Sequence, residues 1–197
     1  MNKIFFLCGK SSSGKDTLYK HIKELKPELR PVVLYTTRPI REGEKDGVEY
    51  HFVSDSKLLE YEQTGKIIEQ RAYNTVHGIW KYATVDDGQI NLNSDSYLAI
   101  GTIESLAKIR NYYGNAVVVP LYIEVPDAIR LRRALDREDL QDKPKYQELC
   151  RRFLADAEDF SEEKLKGAGI QKRFLNADMN KCIEEIIKEI VGVISNG

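Results

Sequence analysis

Two rhythms of apolar and polar positions run along the chain. In KIFFLCG, near the N-terminus, IFFLC is an unbroken apolar run of strand length, the pattern of a strand covered on both faces. After a polar Gly/Ser stretch, Leu18, Ile22 and Leu25 recur at helical spacing through GKDTLYKHIKEL, and Pro27 ends the helix they predict. PVVLYTT (31–37) predicts a second strand, REGEKDG a polar turn, and VEYHFV a strand with one face in water. Ser54 is placed to cap a helix across SDSKLLEYEQTG that Gly65 closes, and KIIEQ begins a further strand. Residues 30 to about 85 therefore read as locally β-rich.

Farther on, strands and helices alternate. SYLAIG (96–101) and NAVVVPLYIEV (115–125) are β-branched apolar runs separated by a predicted helix, IESLAKIRNYYG. VPDAIRLRRALDRE and YQELCRRFLADAEDF predict two more helices, broken by the charged QDKPK, and RFLN (173–176) a last short strand. Cys182, Ile183, Ile186, Ile187, Ile190, Val191 and Ile194 then form a helical stripe that reads as core packing. Such alternation predicts an α/β sandwich around a parallel core sheet.

Composition narrows the class. A chain of 197 residues with 42% hydrophobic and 31% charged residues suits one compact domain able to bury a core. Lys plus Arg (30) nearly balance Asp plus Glu (31), so net charge proposes neither a nucleic acid nor an anionic membrane as partner. Any anion site must be local. Cys8, Cys150 and Cys182 lack metal or disulfide spacing, and IFFLC is too short for a membrane span, so a cytoplasmic protein is expected.

The stretch between the first strand and the first helix is GKSSSGKDTL. Gly9, Gly14 and Lys15 give GxxxxGK in the strand-to-helix setting that a phosphate-binding loop requires. Backbone N–H groups of Gly9, Lys10, Ser11, Ser12, Ser13 and Gly14 can fold around an anion at the helix start, with Lys15 reaching the outer phosphates. Asp16 stands where a hydroxyl would usually meet magnesium. Three readings stay open: Asp16 serves the metal through water, it points away and caps the helix, or the loop no longer holds nucleotide. Thr17 offers a neighbouring hydroxyl.

TTRPIREGEKDGVEYHFVS (36–54) is the second motif. Arg38 and Arg41 near a strand end, with Tyr50 on the next strand, make a set of guanidiniums and a phenol suited to a phosphate monoester. The bland reading is a charged hairpin in water. Together with the phosphate loop, however, the stretch resembles the guanylate kinases, P-loop nucleoside monophosphate kinases whose acceptor lobe carries a pattern close to TTRxPRxGExDGxxYxF; this chain is similar to a divergent member. The resemblance implies a P-loop sandwich whose core (1–30 and 86–197) carries a β-rich acceptor lobe (about 31–85) and a lid (about 137–147). It implies that Arg38, Arg41 and Tyr50 hold the GMP phosphate and that Glu69, in GKIIEQ, accepts the guanine N–H edge. VHGIWKYAT (76–84) looks like the family's HGNYYGT element, which gives Tyr82 to the phosphate and Thr84 to the base. LRRALDRE and LCRRFLADAEDF look like the lid and the helix after it, which brings Arg137 and Arg151 to the transferring phosphoryl beside Arg133 and Arg152, and Asn176 in FLNADMNK to the adenine.

Departures from the pattern concern the base and the metal. Where the family has LDIDxQG this chain has LAIGTIE (98–104), so both acids are absent, and Leu34 replaces a serine. Glu104, Asp86 and Asp87 are candidates to restore a carboxylate to the site, and the bland reading of each is a solvated surface acid. The resemblance implies ATP-dependent phosphorylation of GMP to GDP with Mg2+ accompanying ATP, no dedicated protein metal site, and a monomer or homodimer. Two alternatives stand beside it: a sugar-phosphate kinase of the ribose 1,5-bisphosphate type, because TRP occurs at 37–39, and a guanylate-kinase-like phosphopeptide-binding module without catalysis.

Overall fold

The structure, a computed structural model, describes residues 1–75 and 78–195. At its centre is β1 (Ile4–Gly9), whose side chains are all buried. β1 lies in a parallel sheet with β2 (Leu29–Pro31), β7 (Ser96–Gly101), β8 (Val118–Glu124) and β9 (Arg173–Leu175) in the order β2-β7-β1-β8-β9. Its register pairs Phe6 with Ala99 on one side and Pro120 on the other. Strand period two then sends Phe5 and Leu7 to one face, and Ile4, Phe6 and Cys8 to the other.

Helices cover both faces. On the first, α1 (Lys15–Leu25) presents Leu18 and Ile22, and α7 (Met179–Ser195) presents Cys182, Ile186 and Ile190. On the second, α3 (Ile103–Tyr113) presents Ile103, Leu106 and Ile109, joined by Phe160 and Leu165 from the chain around α5 (Tyr146–Asp159) and α6 (Glu162–Gly167). Burial of each such side chain contributes about 1.5–3 kcal/mol. Between β8 and α5 runs α4 (Asp127–Asp139).

A second sheet stands beside this sandwich, in the order β4-β3-β6-β5, from β3 (Leu34–Thr36), β4 (Tyr50–Phe52), β5 (Ile67–Thr75) and β6 (Gly78–Val85). α2 (Asp55–Gln63) packs Leu58 against Tyr35, Ala83 and Val85 beneath it. Ser54 caps α2, its hydroxyl accepting from the Lys57 N–H at 3.2 Å, as the sequence predicts.

The structure corrects several expectations. PVVLYTT is not one strand: Pro31 ends β2 in the core sheet, and Leu34–Thr36 belongs to the second sheet. A single apolar run thus carries the chain from one sheet to the other. The VEYHFV strand shrinks to Tyr50–Phe52. Leu25 is 58% exposed because it is the last residue of α1, and Val191 and Ile194 lie on the outer side of α7. α6, capped by Ser161, has too few apolar residues for its period to show in the sequence.

Candidate active site

β1 ends in Gly9, and the chain turns through Lys10 to Gly14 into α1. Glycine is required twice. A Cβ on Gly9 would lie 2.8 Å from the Ile123 carbonyl oxygen, and Gly14, at φ 82°, has the Asn176 amide 2.6 Å from where its Cβ would be. Ser12 also takes a positive φ, 60°, without being glycine, a conformation rare for L-residues and common where a loop is shaped for a ligand. Ser13 is buried, while Lys15 is partly exposed with its Nζ 3.5 Å from the Asp16 carboxylate. Asp16 lies in the first turn of α1, 80% exposed, and makes no side-chain cap; Thr17 beside it is exposed. The side chain therefore faces outward at the positive end of a helix, where a carboxylate is favoured. Lys10 faces Asp127 at 3.7 Å.

Two sets of contacts fix the loop from behind. Asn176, fully buried at the end of β9, donates its amide to the Ser13 carbonyl at 2.7 Å, and its own carbonyl accepts from Arg133 at 3.1 Å. The expectation had put Asn176 by the adenine; the structure puts it under the phosphate loop. Asp156 of α5 accepts from the Ser11 N–H at 2.9 Å and from Arg130 Nη1 at 2.8 Å. Arg130 is almost fully buried, bonds Asp127 as well, and stacks over Phe153 with its guanidinium carbon 4.0 Å from the ring centre. Neither Arg130 nor Asp156 belonged to the sequence-derived site. Arg130 left one trace, a charged residue at helical spacing with the buried Ala134.

Of the arginines assigned to the transferring phosphoryl, Arg137 reaches the loop, donating to the Ser12 hydroxyl at 3.3 Å. Arg151 does not. It is 66% exposed and held by Glu148, whose hydrogen bonds raise the arginine's pKa and lower that of the glutamate. Arg152 shares the same Glu148 at 3.6 Å.

The second motif builds one face of the second sheet. The Thr36 hydroxyl donates to the Lys81 carbonyl and the Thr37 hydroxyl accepts from the Lys81 N–H, pinning the end of β3 to β6. That aims Arg38 across the sheet, where it makes a two-pronged pair with Glu44 at 3.0 and 2.8 Å and lies over Tyr50 and Phe52. Burial opposes the charge on Arg38, but Glu44 outweighs it and the pKa is raised; Arg38 in turn lowers that of Glu44. Arg41 is exposed, and its backbone N–H, not its side chain, meets Glu44. Tyr50 packs on Tyr82 with ring centres 5.6 Å apart. Burial, then Tyr82, raise the Tyr50 pKa, Arg38 and Arg71 oppose this, and Asp16 of the phosphate loop adds to it. The two clusters are thus close enough to feel each other's charge.

On β5 and β6, Glu69 stands opposite Thr84 and Arg71 opposite Tyr82. Glu69 is fully buried: Oε1 accepts from Thr84 at 3.0 Å and Arg71 Nη2 at 3.4 Å, and Oε2 from Arg71 Nε at 3.1 Å and Ser105 at 3.2 Å. Phe6, Val32, Leu34, Ala99, Ile100 and Ile109 line the apolar wall around this cluster. Asp86 accepts from Tyr112, Asp87 from Tyr35, and Glu104 pairs with Lys108, so none of these acids joins Glu69. Ser105 and Arg71 do, and the sequence reading missed both. Arg71 was detectable in principle, since period two puts residues 69 and 71 on one face of a strand. Among the described residues no cluster of His, Cys, Asp and Glu could hold a metal ion. His77 and Val76 of the VHGIWKYAT element lie outside the described residues.

A glycine-shaped anion loop at the switch from strand to helix, facing a second sheet with its own arginine and tyrosine cluster, defines a P-loop α/β protein with two facing polar sites. The comparisons agree. A family model described as guanylate kinase matches residues 1–165, and the chain belongs to the guanylate kinase family. Guanylate kinase from Salinibacter ruber is 23% identical over 201 aligned positions, covering 98% of this chain and 97% of that protein. Guanylate kinase from Tropheryma whipplei strain Twist is 31% identical over 84 residues, 43% of this chain and only 42% of that relative's length. The crystal structure of guanylate kinase from Anaplasma phagocytophilum superposes with a TM-score of 0.66 at 21% identity, covering 97% of this chain and 85% of that one, a likeness of fold.

Proposed function

We propose that the protein transfers the terminal phosphoryl group of ATP to GMP, giving GDP and ADP. The observation that carries this reading is the single face of the second sheet on which a base-reading acid, Glu69 with Thr84, is followed by Arg71, Tyr82, Tyr50 and Arg38. Such a row suits a ligand with a hydrogen-bonding base at one end and a phosphate at the other. Membership of the family, and relatives named guanylate kinase, support the same reading.

In this proposal the loop amides and Lys15 hold the ATP phosphates, and Arg38, Arg41, Tyr50 and Tyr82 hold the acceptor phosphate. Phosphoryl transfer needs donor and acceptor in line and the equatorial charge neutralised, with little covalent work by protein. Arg137, already at the loop, is the charge-stabilising group nearest its task. Arg151 would have to exchange Glu148 for phosphate as the lid (about 137–147) closes over the core, a movement that excludes water. The acceptor phosphate oxygen is a competent nucleophile at neutral pH, so no general base is needed.

Magnesium fits this site as a companion of ATP. A hard cation prefers oxygen donors, and the exposed Asp16 carboxylate at the helix start supplies one beside the Thr17 hydroxyl. The ion would contribute charge neutralisation between the phosphates. Among the described residues no helix is long and apolar enough to cross a membrane.

One observation favours a second reading. Leu34, Ala99 and Ile100 keep this part of the wall around Glu69 apolar, and Arg71 holds its carboxylate, which fits a base-free sugar phosphate better than a base. An ADP-release assay across GMP, dGMP, AMP, UMP and ribose 1,5-bisphosphate separates the two. GMP turnover with AMP and UMP far slower supports the proposal; turnover of the bisphosphate alone replaces it.

A further inference from the structure

The Glu69 carboxylate has no acceptor capacity left. A carboxylate offers about four lone-pair sites, and Thr84, Ser105 and the Nε and Nη2 donors of Arg71 fill two on each oxygen. Thr84 and Ser105 approach from the cross-strand neighbour and from α3, both walls of the pocket, and have no reason to leave. Arg71 is different. It is the one donor with a flexible stem, its side chain retains 12% exposure against none for Glu69, and it lies toward the phosphate-binding end of the row.

The fragment of Arg71 that meets Glu69 is Nε–H, Cζ and Nη2–H, two adjacent N–H donors on one planar carbon. Guanine presents the same fragment as N1–H, C2 and N2–H. We propose that Arg71 is a specificity-determining residue of the acceptor site: in the free protein it occupies the Glu69 oxygens with the donor pattern that guanine brings, and GMP binds by exchanging for it. This rests on the assignment of GMP as acceptor. The exchange conserves hydrogen bonds only for a base with two adjacent N–H donors, because a base that offers one leaves a buried carboxylate oxygen short. It also explains how a buried carboxylate survives without ligand. An unpaired buried charge would be strongly destabilising, and the guanidinium removes that penalty until the base arrives.

The consequence is unusual in sign: removing a side chain from the pocket tightens the ligand. The test is calorimetric titration of wild type, Arg71→Met and Arg71→Lys with GMP and with ribose 5-phosphate, which has the phosphate but no base, together with thermal unfolding of each protein with and without GMP. Arg71→Met is expected to bind GMP about tenfold more tightly, a difference of about 1.4 kcal/mol, and to bind ribose 5-phosphate as wild type does. Arg71→Lys, which keeps the charge but not the planar donor pair, is expected to lie between them and to fold if the Met variant does not. Without ligand the variants melt below wild type, and saturating GMP narrows the gap. Unchanged or weaker GMP binding in both variants overturns the role of Arg71, as does equal tightening of ribose 5-phosphate. Absence of GMP binding to wild type overturns instead the acceptor assignment on which the inference rests.

Discussion

The phosphate loop and the acceptor face hold charge in opposite ways. Behind the loop every polar tie is to a group with a fixed structural place: Asn176 to the Ser13 carbonyl, Asp156 to the Ser11 N–H, Arg130 between Asp156 and Asp127. The outer side of the loop meets Arg137 at Ser12 and is the side assigned to the ATP phosphates in the proposal. On the acceptor face the groups assigned to the ligand are themselves paired, Glu69 with Arg71 and Arg38 with Glu44. On the proposed reading, one side is ready before its ligand arrives and the other must rearrange. Preorganisation suits the triphosphate, which needs many amides at once, whereas an exchange of partners suits a site that must select one base among several.

The largest effect expected from breaking this contrast comes from Lys15→Ala on the prepared side. Loss of the cation should lower kcat by about 10²–10³, with little change in melting temperature, because the Lys15 ammonium pairs with the exposed Asp16 carboxylate and an exposed ion pair contributes little to stability. Loss of stability in place of rate would show that the loop is not a ligand site. Asp156→Ala strikes the support of the same loop. It leaves the buried Arg130 with Asp127 and the Ser11 carbonyl but without its buried carboxylate, and breaking a buried pair costs about 3 kcal/mol, to be read as a lower denaturant midpoint; a midpoint equal to wild type would make the network incidental.

Glu69→Gln acts on the acceptor side. It removes the charge that two guanine donors would meet, and kcat/KM for GMP should fall by about 10–100-fold, equivalent to about 1–3 kcal/mol, while the KM for ATP is unaltered. An equal fall for base-free acceptors would deny Glu69 a part in reading the base. The smallest effect is acid sensitivity at the phosphate end. Arg38 holds Glu44 below its ordinary value of 4.5, so the stabilisation is complete above that pH and is lost as pH falls through the lowered value. Glu44→Gln should lower stability at neutrality, where the pair's contribution is complete, and flatten the stability–pH profile below pH 4.5; an unchanged acid limb would place the sensitivity elsewhere.

The same contrast explains what was legible in the sequence. β1, the phosphate loop and α1 are contiguous, and each leaves a local signal: an apolar run, a glycine spacing, a helical period. The Arg38 and Tyr50 cluster was legible because its residues lie within one short motif. Long-range ties were not. Ser105 reaches Glu69 across 36 positions and Asp156 reaches Ser11 across 145, separations at which no spacing rule connects two polar residues. Asn176 was recognised as a site residue but given a ligand to touch, since nothing in FLNADMNK shows that the end of β9 is buried under the loop. PVVLYTT was misread for a related reason: periodicity finds a strand but does not say which sheet it joins.

The measurement that tests the account most directly is a crystal structure with GMP and a non-hydrolysable ATP analogue bound together. The account predicts a loop backbone that moves by less than about 1 Å, as preorganised sites do, with guanine donors on both Glu69 oxygens and Arg71 withdrawn from them. A loop that reshapes around the triphosphate, or Arg71 still on Glu69 with the base seated elsewhere, would contradict it.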